Sequence, residues 1–197
     1  MKDYYHSALS NNRHMRVDES QIRPLPSHRF HNGIAFAWDL ADDEQDMKVL
    51  YRNCDVLYMD PPWRSGYEPF MRKADAEIRV SHEDLLKRIY RLVLDLDVPA
   101  VITNSRQAKT CFPGFTAHRT RLNGDDVTAY FYKEDEIEDL DITDSVSIIR
   151  SLLKQYRTIG DPFCGYGRTA ELATIAGCDF VCSDVNQRCI GLMAERL

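Results

Sequence analysis

The stretch that decides the fold is "IGDPFCGYGRTA", residues 159–170. A short apolar strand ends at Asp161. Gly165 and Gly167 then permit a tight turn and let the backbone approach a ligand closely. A helix follows, so its unpaired N–H groups and positive end face whatever lies in the turn. The next strand, "FVCSD", ends at Asp184, and an acid at that place binds the two hydroxyls of a ribose in Rossmann-like halves. Strand, glycine turn, helix and distal acid together predict a nucleoside-containing cofactor. "GYGRTA" also fits the loose dinucleotide pattern G-x-G-x-x-A. Three features argue against a nicotinamide cofactor: only one strand follows, Asp-Pro-Phe replaces a plain apolar approach, and no second nucleotide half comes after. A purely structural glycine turn leaves the Asp161–Asp184 pair unexplained.

Working outward, strands alternate with helices. "GIAFAW" (33–38), "DVLYMD" (55–60) and "VPAVIT" (98–103) read as strands. The acidic stretch after "GIAFAW" is a loop or a short helix. Ser81 caps a helix with Leu85, Ile89, Leu92, Val93 and Leu96 at helical spacing. "FTAHRTRL" (115–122) and "VTAYFYK" (127–133) flank Asn123-Gly124, a strong hairpin signal. Helices are expected at about 144–155, 168–177 and 187–197. The pattern predicts an α/β three-layer sandwich: a mostly parallel sheet of about seven strands, with an antiparallel hairpin at its edge. Residues 1–31 read as a basic, irregular arm, and 32–197 as one domain.

Bulk properties narrow the class. The chain has 197 residues, enough to bury a core. No apolar run is long enough to span a bilayer, and the first residues lack the apolar core of a secretory signal. Six scattered cysteines form no CxxC pair, which predicts reduced thiols in a cytoplasmic protein and no metal site. The net charge is −6, which argues against a protein wrapped around nucleic acid but leaves room for local basic patches. Two exist: Arg13, Arg16, Arg23 and Arg29 in the arm, and Arg106, Lys109, His118, Arg119 and Arg121 farther on.

The second unusual stretch is "VLYMDPPWRSG", residues 56–66. Here a buried strand runs into an acid, two prolines that cannot donate a hydrogen bond, and a tryptophan. Together, "DPPW" and the later "DPFCGYGRT" resemble motifs IV and I of the S-adenosylmethionine-dependent amino-methyltransferases. The catalytic motif comes first and the cofactor motif last, as in the permuted β class. The resemblance covers the chain from about residue 33 to its end. It implies a Rossmann-like methyltransferase sandwich and methylation of an exocyclic base amine. Asp in first place points to adenine over cytosine, and DNA is the leading substrate. RNA adenine methylases are the alternative, and an inactive methylase-fold binding subunit is a reading of another class.

The resemblance also implies roles. Asp60 and a carbonyl, that of Pro61, would accept the amine hydrogens while Pro61 and Pro62 stiffen the turn. Trp63 would stack on the base, and Tyr67 would help close its pocket. Asp161, Pro162, Phe163, Cys164, Gly165 and Gly167 would line the cofactor, with Asp184 on its ribose. Asn104 would touch cofactor or substrate, and Asp39 the cofactor adenine. Arg13, Arg16 and Arg23 would contact phosphates. There are departures. The segment before the cofactor motif reads "DITDSVSII" where the family has a His-Pro-Thr-x-Lys-Pro-like pattern, and Tyr166 and Arg168 replace small residues. Only a short acidic stretch stands where β-class enzymes insert a target-recognition domain. Weak sequence specificity is expected, or specificity from a partner, from dimerisation or from the arm. Such economy suits a phage or mobile-element enzyme.

Overall fold

The computed structural model describes residues 27–38, 44–104, 106–122 and 125–197. Eight strands form one sheet: β1 (Ser27–Phe30), β2 (Gly33–Ala37), β3 (Val56–Met59), β4 (Ala100–Asn104), β5 (Thr116–Leu122), β6 (Asp125–Tyr132), β7 (Thr158–Asp161) and β8 (Asp179–Asp184). Their order is β1-β2-β8-β7-β3-β4-β6-β5. The five strands from β2 to β4 are parallel, while β1 and β6 run antiparallel to their inner neighbours and β5 is antiparallel to β6.

Among the described residues six α-helices flank the sheet: α1 (Glu44–Tyr51), α2 (Arg64–Lys73), α3 (His82–Leu96), α4 (Ser145–Gln155), α5 (Arg168–Ala176) and α6 (Gln187–Arg196). The core is two-sided. Leu57 and Met59 of β3 pack toward α1, α2 and α3, whereas Val56 and Tyr58 pack toward α4, α5 and α6. This alternation is why the central strands read as continuous apolar runs. Ser81 caps α3 by accepting from the Asp84 amide, and Asp144 caps α4 by accepting from Ser147.

The sheet contains eight strands rather than about seven. The extra one, β1, occupies residues 27–30, inside the segment read as an irregular arm. Its residues are mostly exposed, so it lacks the apolar alternation that marks a strand in sequence. Helix α2 is likewise absent from the sequence reading. Gly66 and Pro69 weaken its pattern, and only Tyr67 and Met71 are buried, one turn apart. The hairpin of β5 and β6 pairs Leu122 with Asp125, as expected, with Asn123-Gly124 outside the described residues. Among the described residues no helix is long and apolar enough to cross a membrane.

One strand pair matters most. At the foot of β3, Asp55 Oδ2 accepts from the amides of Arg157 (3.1 Å) and Thr158 (2.8 Å), which locks β3 to β7. The register Leu57↔Gly160 follows. Continued by one residue, it sets Tyr58 level with Asp161 and places Asp60 just beyond.

Candidate active site

β3 leads into α2 on one face of the sheet and β7 leads into α5 on the other. Adjacent parallel strands whose connections diverge in this way open a crevice at their carboxyl ends, where ligands of open α/β sheets bind. Both Asp-Pro turns stand at that crevice. Pro62, Trp38, Tyr67, Phe163, Asp184 and Val185 line a common cleft. Its free volume is about 20 Å³, room for a water molecule rather than a nucleoside, so a larger ligand has to displace a wall.

Asp60 reaches solvent, yet the partial burial of its carboxyl raises its pKa, opposed by a hydrogen bond from Thr103. Thr103 Oγ1 donates to Asp60 Oδ1 at 2.8 Å. The neighbouring Asn104 Nδ2 donates to the Pro61 carbonyl at 3.3 Å. Asn104 is therefore bonded to the Asp60 turn and already occupies one lone pair of the Pro61 carbonyl. His82 Nε2 lies 2.9 Å from the Pro62 carbonyl. A carbonyl only accepts, so this nitrogen carries the proton. Burial lowers the pKa of His82. Beyond it is a larger hollow of about 310 Å³, lined by Arg64, Ser81, Glu83 and Thr110 among others.

Trp63 stands at the N-cap of α2, half-buried against the cluster on the α4–α6 face. Tyr67 is buried; its hydroxyl donates to the Val80 carbonyl (3.0 Å) and its ring lies 5.8 Å from that of His82. It contributes a wall of the cleft, not a mobile rim.

The Asp161 turn is closed on itself. Asp161 is 2% exposed. Its Oδ1 accepts from the Phe163 amide (2.9 Å) and its Oδ2 from Thr169 Oγ1 (2.5 Å). Burial pushes its pKa up to about 7, against those two bonds, with the nearby Asp60 and Asp184 adding to the rise. Pro162 lines the cleft, and the Cys164 amide donates to the Ser183 carbonyl. Asp184 Oδ2 accepts from the Gly165 amide (2.9 Å) and Oδ1 from Asn186 (2.8 Å). Gly165 (φ +51°) has nothing within 4 Å of where a Cβ would stand, so its outer side is open. Gly167 (φ +85°) is the N-cap of α5, and a Cβ there would lie 2.3 Å from Met193 Sδ.

The structure thus brings Asp60, Pro61, Pro62, Trp63, Tyr67 and Asn104 to one edge with Asp161, Pro162, Phe163, Cys164, Gly165, Gly167 and Asp184. Asp39, Arg13, Arg16 and Arg23 lie outside the described residues. Sequence reasoning missed Thr103, His82, Thr169 and Trp38. Thr103 could have been found as a polar residue closing the apolar run "VPAVI", and Thr169 stands inside the cofactor motif itself; His82 and Trp38 carry no local signal. Burial raises the pKa of the Tyr58 hydroxyl, the charges of Asp60 and Asp161 add to the rise, and the neighbouring Ser145 and Thr103 oppose it.

No family model and no curated protein matches the chain. Solved structures do. The crystal structure of M1.HpyAVI aligns over 82% of this chain and 96% of its own, with 13% identity and a TM-score of 0.55. Its complex with SAM covers 83% and 98%, at 14% identity and 0.50. TTHA0409 of Thermus thermophilus, provisionally described as a DNA modification methylase, covers 85% and 94%, at 14% identity and 0.52. Likeness at this identity establishes the architecture: the chain has the Rossmann-like methyltransferase three-layer sandwich.

Proposed function

We propose that this chain transfers a methyl group from S-adenosylmethionine to the exocyclic amino group of adenine in DNA, as a member of the permuted β class. The observation that carries the reading is the pairing of β3 with β7, which sets the Asp60 turn beside the Asp161 turn. The structural neighbours include a SAM complex and a protein provisionally described as a DNA modification methylase, which supports it.

The residues fit the cofactor chemically. Trp38, Phe163 and Val185 offer apolar walls for an adenosyl group, and Asp184 offers a carboxylate at the same cleft for ribose hydroxyls. Trp38, Tyr67, Met71 and Phe163 are among the walls of the narrow cleft, so a nucleoside displaces some of its lining on entry. When bound, S-adenosylmethionine supplies a methyl carbon on a positive sulfur; transfer leaves the electrons of the broken bond on sulfur and positive charge on the receiving nitrogen.

The chain's own part concerns the amine. The lone pair of an adenine amine is delocalised into the ring, so the nitrogen is a poor nucleophile. Asp60 and the remaining lone pair of Pro61 accept its two hydrogens, free the lone pair from conjugation and stabilise the developing charge. One N–H proton then leaves to the Asp60 carboxylate. Trp63 stacks on the base, an interaction that alanine substitution typically weakens by about 1–3 kcal/mol. A duplex target must first be flipped out. The hollow beyond His82 offers room for the strand that carries the base. The arm with Arg13, Arg16 and Arg23 supplies phosphate contacts, and sequence specificity comes from this arm, from a second copy or from a partner. All six cysteines are free and buried, in keeping with a cytoplasmic setting.

Transfer of labelled methyl from the cofactor to DNA, RNA and protein, assayed in parallel, tests the proposal. Label in DNA supports it. Label in RNA alone would move the substrate, and label in neither nucleic acid would end the reading.

A further inference from the structure

Thr103 is fully buried near the end of β4, in a position where valine would pack equally well. Burying a hydroxyl costs free energy unless it finds a partner. Its one short contact is Asp60 Oδ1 at 2.8 Å; the Met59 carbonyl stands at 3.4 Å, and one hydroxyl hydrogen serves one strong bond. No described residue donates to Asp60 Oδ2. We propose that Thr103 is a positioning residue for methyl transfer: it holds Oδ1, fixes the rotation of the Asp60 carboxyl, and so makes Oδ2 the oxygen that receives the substrate amine. This rests on the methyltransferase reading above.

The arrangement extends to the whole turn. Thr103 and Asn104, consecutive on β4, grip the two acceptors Asp60 and Pro61, while His82 of α3 grips Pro62. The acceptors are thus aimed from a buried strand and do not depend on the loop itself, as a reacting geometry requires. The bond also has an electrostatic consequence. A donor on a carboxylate favours its ionised form. The other titratable groups facing Asp60 are Tyr58 of β3 and Asp161 of β7, with His82 bonded one residue beyond Pro61. Thr103→Val leaves Asp161 and His82 untouched, although the Thr103 hydroxyl also stands beside Tyr58. The substitution removes the donor and moves the ionisation of Asp60 to higher pH.

The test compares wild type, Thr103→Val and Thr103→Ser in single-turnover methyl transfer across pH, with cofactor affinity measured separately. Thr103→Val is expected to lower the rate on the order of 10- to 100-fold, the range for a hydrogen bond to a charged group. Its acidic limb should shift upward while cofactor affinity holds, and Thr103→Ser should restore both rate and limb. A wild-type rate and limb in Thr103→Val would overturn the proposal, as would a rate loss matched by equal loss of cofactor affinity with the limb unmoved. Should Thr103→Val fail to fold, Thr103→Ala removes the same donor without added bulk and is judged by the same outcomes. Wild type that transfers no methyl to any nucleic acid would refute the underlying reading instead, a result distinct from an active wild type with an indifferent Thr103.

Discussion

The molecule contains two strand-ending Asp-Pro turns, side by side and built differently. At Asp161 both carboxylate oxygens are consumed within the turn, by Phe163 and Thr169, and the group is sealed from water. At Asp60 one oxygen is held by a neighbouring strand, no described residue donates to the other, and the residue is exposed. The same dipeptide therefore serves two ends. One carboxylate shapes a loop, and the other is kept available for chemistry. Where a carboxylate's hydrogen bonds originate, inside its own loop or outside it, distinguishes a frame from a reagent.

Asp60→Ala breaks the comparison most severely. It should lower methyl transfer at least about 100-fold, the scale of losing one preorganised transition-state contact, while cofactor binding stays near wild type by calorimetry. Joint loss of both would mean that the two turns share the framing role. Trp63→Ala comes next. A loss of about 1–3 kcal/mol in substrate binding is expected, with Trp63→Phe recovering most of it. Equal behaviour of the two variants would assign Trp63 to packing alone.

Within the framing turn, two glycines sharpen the contrast. Gly167→Ala should destabilise the protein by about 1–3 kcal/mol in chemical denaturation, since its Cβ would strike Met193. Gly165→Ala meets open space, so its smaller stability cost should come with weakened cofactor binding. The smallest effect concerns pH. Asp161 titrates at about 7 in the folded chain against an ordinary value of 3.8, so the native state holds the extra proton between these values. Wild-type stability should then fall as pH rises from about 4 to 7. Asp161→Asn escapes that loss, and its melting temperature relative to wild type should climb from pH 4 to pH 8. A constant difference would place the proton elsewhere.

Much of this was legible in the sequence because it is local. Asp161, Gly165, Gly167 and Asp184 announce themselves through strand, turn and helix chemistry, and the Ser81 cap lies next to the helix it starts. What the sequence hid is non-local. Thr103 meets Asp60, and His82 meets Pro62, only because β4 and α3 pack beside β3. Trp38 joins the cleft because its backbone amide donates to the Asp184 carbonyl beyond the paired ends of β2 and β8. β1 escaped notice since an exposed edge strand needs no apolar alternation, and α2 since a proline and a glycine mask its pattern.

The most direct test of a single site shared by the two turns is mass spectrometry of nucleosides from DNA incubated with the protein and a deuterated-methyl cofactor. The account predicts deuterium-labelled N6-methyldeoxyadenosine from wild type and none from Asp60→Ala at matched cofactor occupancy. Equal labelling by both proteins would contradict it.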